Sequence, residues 1–178
     1  DASLRAAPQI IALNTLGQSG LWPHGISGDL PILLVRVIAH NGLSLVRQVL
    51  QAQAYWRLKG LRADVVIVNE RPISYLDEVQ TQLTALLDNG PWRTWKHRSG
   101  GAYLIRSDQI PKPERLLLQA VAHAILSDER GGLAQQLDQA PPAWTNDSAC
   151  LPLPNTFPPP HGVGMSHTPL PTPPLTMS

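Results

Sequence analysis

Two groups of polar residues have types and spacing suited to chemistry. His24-Gly25-Ile26-Ser27-Gly28-Asp29 places an imidazole, a hydroxyl and a carboxylate around two glycines. Such a loop can turn backbone N–H groups toward an anion or a sugar. It precedes an apolar run rather than a helix. It also lacks the lysine of a P-loop and the third glycine of a dinucleotide fingerprint, so it is neither of those phosphate motifs. A tight turn whose Ser27 and Asp29 bond their own backbone accounts for the same residues. The second group joins His40-Asn41 to Asn69-Glu70-Arg71. Both stretches follow apolar runs that read as strands, and in open α/β sheets ligands gather beyond the carboxyl ends of strands. An ion-paired rim is the plain structural account of that group.

Other arrangements are excluded by spacing. His24, His40, His97 and His123 show no His-x-x-x-His pattern, so no metal site is expected. Gly25-Ile26-Ser27-Gly28 misses a nucleophile elbow by one residue. No two acids are placed by a pattern that would support glycoside hydrolysis. No catalytic residue is assigned on these grounds. The candidate polar and sugar-contacting set is His24, Ser27, Asp29, His40, Asn69 and Glu70. An independent enzyme would have to use Asp29, Glu70 and His24 as acid, base and orienter. Tyr55 and Trp56 lie on a helical apolar stripe and read as core, whereas Trp92 and Trp95, in a loop, are open to sugar stacking as well as packing.

These residues need elements to hold them. Pro31 to Ile38 is a β-branched apolar run without alternation, the pattern of a strand buried on both faces. Asp64 to Asn69 is a second such run, and Ala102 to Arg106 a third. Leu43 to Lys59 switches to helical spacing and stops at Gly60. Tyr75 to Asp88 and Pro113 to Leu126 read as further helices, followed by a short turn over Leu133–Leu137. The alternation predicts an α/β fold, a small βαβαβα module with a mainly parallel three-stranded sheet. Residues 1–20, interrupted at Pro8, read as a helical or loop remnant, 21–138 as the α/β module and 139–178 as a tail.

Composition divides the 178 residues near position 140. All 14 Lys and Arg precede the tail, which holds 11 of the 18 prolines and, beyond Asp138, one acid, Asp147. Such a segment cannot bury enough surface to offset its ordering entropy, and disorder is predicted for 139–178. A proline-recognising partner is one reading of that tail. Residues 1–140 are nearly balanced in charge, which argues against a nucleic-acid groove or a polybasic membrane patch. No apolar run reaches the ~18 residues a membrane span needs. The single Cys150 excludes a disulfide framework within the chain. The sequence starts Asp1-Ala2-Ser3 rather than with Met, which suggests a piece of something longer.

Leu21-Trp22-Pro23-His24-Gly25-Ile26-Ser27-Gly28-Asp29-Leu30-Pro31-Ile32 resembles the cyclic β-1,2-glucan synthases, very large bacterial glucosyltransferases. The likeness continues at Tyr55–Leu61, Asp64–Glu70, Gly100–Gln109 and Arg130–Leu137. It implies an internal fragment from the phosphorylase-like carboxyl-terminal half of such a chain. The module would then be structural or sugar-contacting, supporting glucosyl transfer and chain processing elsewhere in the parent. The expected partners are β-1,2-glucan and the parent's neighbouring sandwich and barrel modules, with no nucleic acid. The family's nucleotide sugar and divalent metal would bind outside this segment, which needs no cofactor of its own. The parent would sit in the bacterial inner membrane, with this segment soluble on the cytoplasmic side. After Ala140 the family pattern stops, and residues 141–178 are expected to be a truncated or frame-shifted continuation.

Overall fold

A computed structural model describes residues 2–39, 42–72 and 78–139. Four strands form one sheet in the order β3-β2-β1-β4: β1 (Ile32–Val37), β2 (Asp64–Asn69), β3 (Ala102–Arg106) and β4 (Ala124–Ser127). Every pairing is parallel. Leu33 stands opposite Val65, Val65 opposite Ala102, and Leu33 also opposite Ala124. The apolar runs that lack alternation are thus buried on both faces, as expected for parallel strands.

Among the described residues the α-helices are α1 (Pro8–Leu13), α2 (Gly42–Leu58), α3 (Glu78–Asn89), α4 (Lys112–Val121) and α5 (Leu133–Asp138). Odd-numbered strand residues Leu33, Val35, Val37, Val65 and Ile67 pack against Leu45, Val46, Val49 and Leu50 of α2 and Val79, Leu83 and Leu87 of α3. Even-numbered Ile32, Leu34, Val66 and Val68 pack on the other face against Leu21, Ile26, Leu117 and Leu118. Each fully buried Val or Leu contributes roughly 1.5–3 kcal/mol, so these two layers supply most of the drive to fold. The α2 helix ends at Gly60, with φ of +79°: Gly60 N–H donates to Arg57 O and Leu61 N–H to Trp56 O. That is the paired closing pattern for which a left-handed glycine is suited.

The structure corrects the expected element count. The helix predicted to run to Leu126 stops at Val121; Ala122 is extended, and Ala124–Ser127 becomes a fourth strand beside β1. Ala124-Ile125-Leu126 suits a helix stripe as well as a buried strand. The unpaired edge of β1 decides between them, because its N–H and C=O groups gain partners only if these residues extend. The segment before β1 is ordered by packing. Pro8 is the first residue of α1, which lies against α4, and a 3₁₀ turn over Gln18–His24 inserts Leu21 into the second core layer. The loop expected over Trp92–Gly101 holds one further 3₁₀ turn, Arg93–Trp95. Helix α3 is described from Glu78, so the predicted start at Tyr75 lies outside the described residues, as do His40, Asn41 and the Pro-rich tail from Ala140 onward.

Candidate functional site

Strand order locates the place where ligands gather in sheets of this kind. The chain steps from β1 to β2 to β3 in one direction, then returns to put β4 on the far side of β1. The reversal leaves a crevice between the carboxyl ends of β1 and β4. Asp128 follows β4 directly and fills part of that crevice. Its carboxylate accepts hydrogen bonds from Ile38 N–H at 3.0 Å and Ala39 N–H at 2.8 Å. Gly42, at the start of α2, is glycine for a steric reason. A Cβ there would come 2.8 Å from Asp128 Oδ2 and would also collide with Val37. Beside Asp128 a cleft of about 300 Å³ is lined by Ser44, Leu45, Asp128, Gly131 and Gly132.

The neighbouring rim is built from β1 and β2. Glu70 N–H donates to Val37 O, tying the exit of β2 to the end of β1. Arg36 Nε and Nη2 each donate to one Glu70 oxygen at 2.7 Å, a two-pronged charge-assisted pair. The hydrogen bond to Glu70 raises the Arg36 pKa against the opposing effect of burial, and the charges of Glu70, Glu129 and Asp128 add to the rise. Asn69 is buried; its amide donates to Gln80 at 2.9 Å and its oxygen accepts from Arg71 N–H. The rim thus combines a carboxylate–guanidinium pair with a second carboxylate, a hydroxyl and glycine backbone. Such a set suits hydroxyl groups of a neutral ligand, which both donate and accept. The first N–H groups past β1 are already taken by Asp128, so an incoming phosphate would meet negative charge there.

The loop before β1 uses its polar groups internally. His24 Nε2 lies 2.7 Å from Glu114 Oε2. Ser27 Oγ accepts from Asp29 N–H at 3.3 Å, and Gln18 Nε2 donates to Ser27 O and to Asp29 Oδ1. This is the self-bonded turn. Asp29 precedes β1 and Glu70 adjoins its far end, so a six-residue strand stands between them, about 20 Å at ~3.3 Å per residue. Of the sequence candidates, Asn69 and Glu70 share the carboxyl-end rim. Ser27 and Asp29 lie at the other end of the sheet, and His24 is committed to Glu114. Trp92 packs against the first core layer and donates from Nε1 to Leu50 O at 3.1 Å, while Trp95 carries the Arg57 guanidinium 3.8 Å above its ring.

Sequence reasoning missed Asp128, Ser44 and the Gly131-Gly132 wall. The available signal is a polar Ser-Asp-Glu-Arg-Gly-Gly run directly after the apolar Ala124-Ile125-Leu126; assigning those three residues to a helix hides it. Among the described residues no three His, Cys, Asp or Glu side chains group to hold a metal ion, and no helix is long and apolar enough to cross a membrane.

No family model matches the chain. Over 152 residues it is 31% identical to the cyclic beta-(1,2)-glucan synthase NdvB of Rhizobium meliloti (strain 1021). The matched stretch covers 83% of this chain and 5% of that protein. The resemblance carried by the sequence motifs is therefore borne out, and it relates the chain to one short segment of a glucan synthase.

Proposed function

We propose that this chain, related to a short segment of a cyclic β-1,2-glucan synthase, is a glucan-contacting module that positions the polymer for the parent's glucosyl transfer and chain processing without making or breaking bonds. The observation that carries this reading is the crevice at the carboxyl ends of β1 and β4, with Asp128, Ser44 and the Gly131-Gly132 backbone beside the Arg36–Glu70 pair. Carboxylate oxygens, which can accept more than one hydrogen bond each, and the Ser44 hydroxyl bind vicinal sugar hydroxyls, while the Gly131-Gly132 backbone, bonded internally, leaves room for the ring. The parent's neighbouring modules are its expected partners, and β-1,2-glucan is its ligand.

The competing reading is an independent hydrolase using Asp29, Glu70 and His24. The separation of Asp29 from Glu70 and the pairing of His24 with Glu114 weigh against it. The two are told apart by titrating the full chain with β-1,2-glucan oligomers while assaying released sugar. The glucan-contacting reading expects saturable binding with no turnover. Glu70→Gln and Ser44→Ala should weaken it severalfold, since a lost hydrogen bond costs about 0.5–1.5 kcal/mol. Turnover abolished by Glu70→Gln would replace this reading with the hydrolase. A third possibility, interaction through the Pro-rich tail, is separated by deleting residues 141–178 and looking for a lost protein partner.

A further inference from the structure

The opposite end of the sheet carries a surface that glucan contact does not explain. We infer that it docks on an anionic lipid bilayer: the turn closing α2 exposes apolar side chains, and cations lie on that turn and on the adjoining Arg93–Arg98 loop. Leu58 and Leu61 are 86% and 63% exposed and flank Lys59-Gly60, while Tyr55, one helical turn earlier, is 58% exposed. Single exposed apolar residues are ordinary, but three within seven positions at the tip of one helix form an exposed patch.

The adjoining loop is held rigidly. Buried Gln53 donates to Gly101 O at 2.8 Å, Arg57 donates to Gly100 O, and Gly100 N–H donates to buried Asp64 at 2.6 Å. Gly101 has no space for a Cβ against the Trp95 carbonyl, and His97 adopts a φ of +54°, unusual for a residue with a side chain. What this scaffolding presents outward is Arg93, Trp95 and Arg98, all exposed, next to exposed Arg62 and Lys59. Of the nearby carboxylates, Asp88 pairs with Lys96 at 2.6 Å and Asp64 is buried beneath the loop on Gly100 N–H, which leaves Asp29, bonded to the neutral Gln18 amide, against Lys59, Arg62, Arg93 and Arg98. The near-balance of charge over residues 1–140 therefore conceals a local excess of positive charge.

Exposed leucines on a turn, with tyrosine, tryptophan, Lys and Arg on the same and the adjoining segment, are the composition by which segments lie in a membrane interface. The cations call for an anionic surface and Leu58 and Leu61 for an apolar layer directly beneath it, and a bilayer of anionic lipids supplies both together. The inference is independent of the glucan reading, because the two surfaces lie at opposite ends of the sheet.

The test is co-flotation of the full 178-residue chain with vesicles of phosphatidylcholine alone, or of phosphatidylcholine mixed equally with phosphatidylglycerol. Binding is expected to the mixed vesicles only, to fall as salt rises, and to weaken on the order of tenfold both in Leu58→Gln/Leu61→Gln and in Arg93→Gln/Arg98→Gln. All four positions are exposed, and circular dichroism checks that the variants fold; single Leu58→Gln carries the test if the double variant does not. Failure to float with anionic vesicles overturns the proposal. So does binding that survives the leucine changes and is matched by soluble polyglutamate, which would assign the patch to an acidic protein.

Discussion

Asp64 opens β2 with no exposed surface, one oxygen bonded to Gly100 N–H and the other without a partner. Burial pushes its carboxyl pKa up, against the opposing pulls of the Gly100 N–H and Arg62. An unfolded aspartate titrates near about 3.9. Between that value and the higher folded one, the native state keeps a proton that the unfolded chain has lost. Stability therefore falls as pH rises through this window and levels off above it. Asp64→Asn cannot titrate, so denaturant unfolding from about pH 4 upward should show a shallower fall in the variant than in the parent chain. Equal slopes would mean that Asp64 is not the group responsible. The loop's rigidity makes a related prediction. Gly101→Ala should destabilise by more than the ~1 kcal/mol typical of point changes, because backbone rather than a flexible side chain occupies the space, and thermal melting would report it.

At the scale of elements, β4 is the edge strand that needs explanation. Its last residue, Ser127, has its backbone N–H and C=O bonded by the side-chain amide of Gln136, at 3.1 and 2.9 Å. The same amide donates to Gly131 O at 2.8 Å. Gln136 is 2% exposed and acts as the next peptide of a missing strand. That arrangement blunts the edge, which would otherwise be a template for further pairing. Gln136→Leu should cost about 1–3 kcal/mol by leaving these groups unpaired. It should also raise hydrogen exchange at Ser127, while protection at Val65 to Val68 in the middle of the sheet persists. Little of this could be read from sequence. The strands β1 and β2 were legible because nine consecutive or near-consecutive β-branched and leucine residues leave no other fold for them. Strand β4 was not, because its four residues carry no period and its identity depends on the free edge of β1. The rim was legible at Asn69 and Glu70, which follow a recognisable strand. It was illegible at Asp128, whose partners Ile38 and Ala39 lie about 90 positions away in the chain.

Across the whole molecule, the layers that hold the sheet are formed by residues between Leu21 and Leu126. Removing residues 141–178 should therefore leave the melting transition and the exchange protection of β1 and β2 unchanged. Loss of the transition would show that the Pro-rich segment stabilises the fold. The two ends of the sheet are chemically unlike. The carboxyl end offers carboxylates, a hydroxyl and glycine backbone around a crevice; the amino end offers cations and exposed apolar groups. Net charge alone, close to neutral, hid this separation, and parallel strand pairing creates it by sending all βα turns one way and all αβ turns the other.

The central claim is that the crevice between β1 and β4 receives glucan without chemistry. Backbone amide shifts of the full chain, followed during titration with β-1,2-glucan, test it most directly. The account predicts saturable shifts at Ser44, Asp128, Gly131, Gly132 and Glu70, with no sugar released. Shifts confined to the Ser27–Asp29 turn, or depolymerised glucan in the tube, would contradict it.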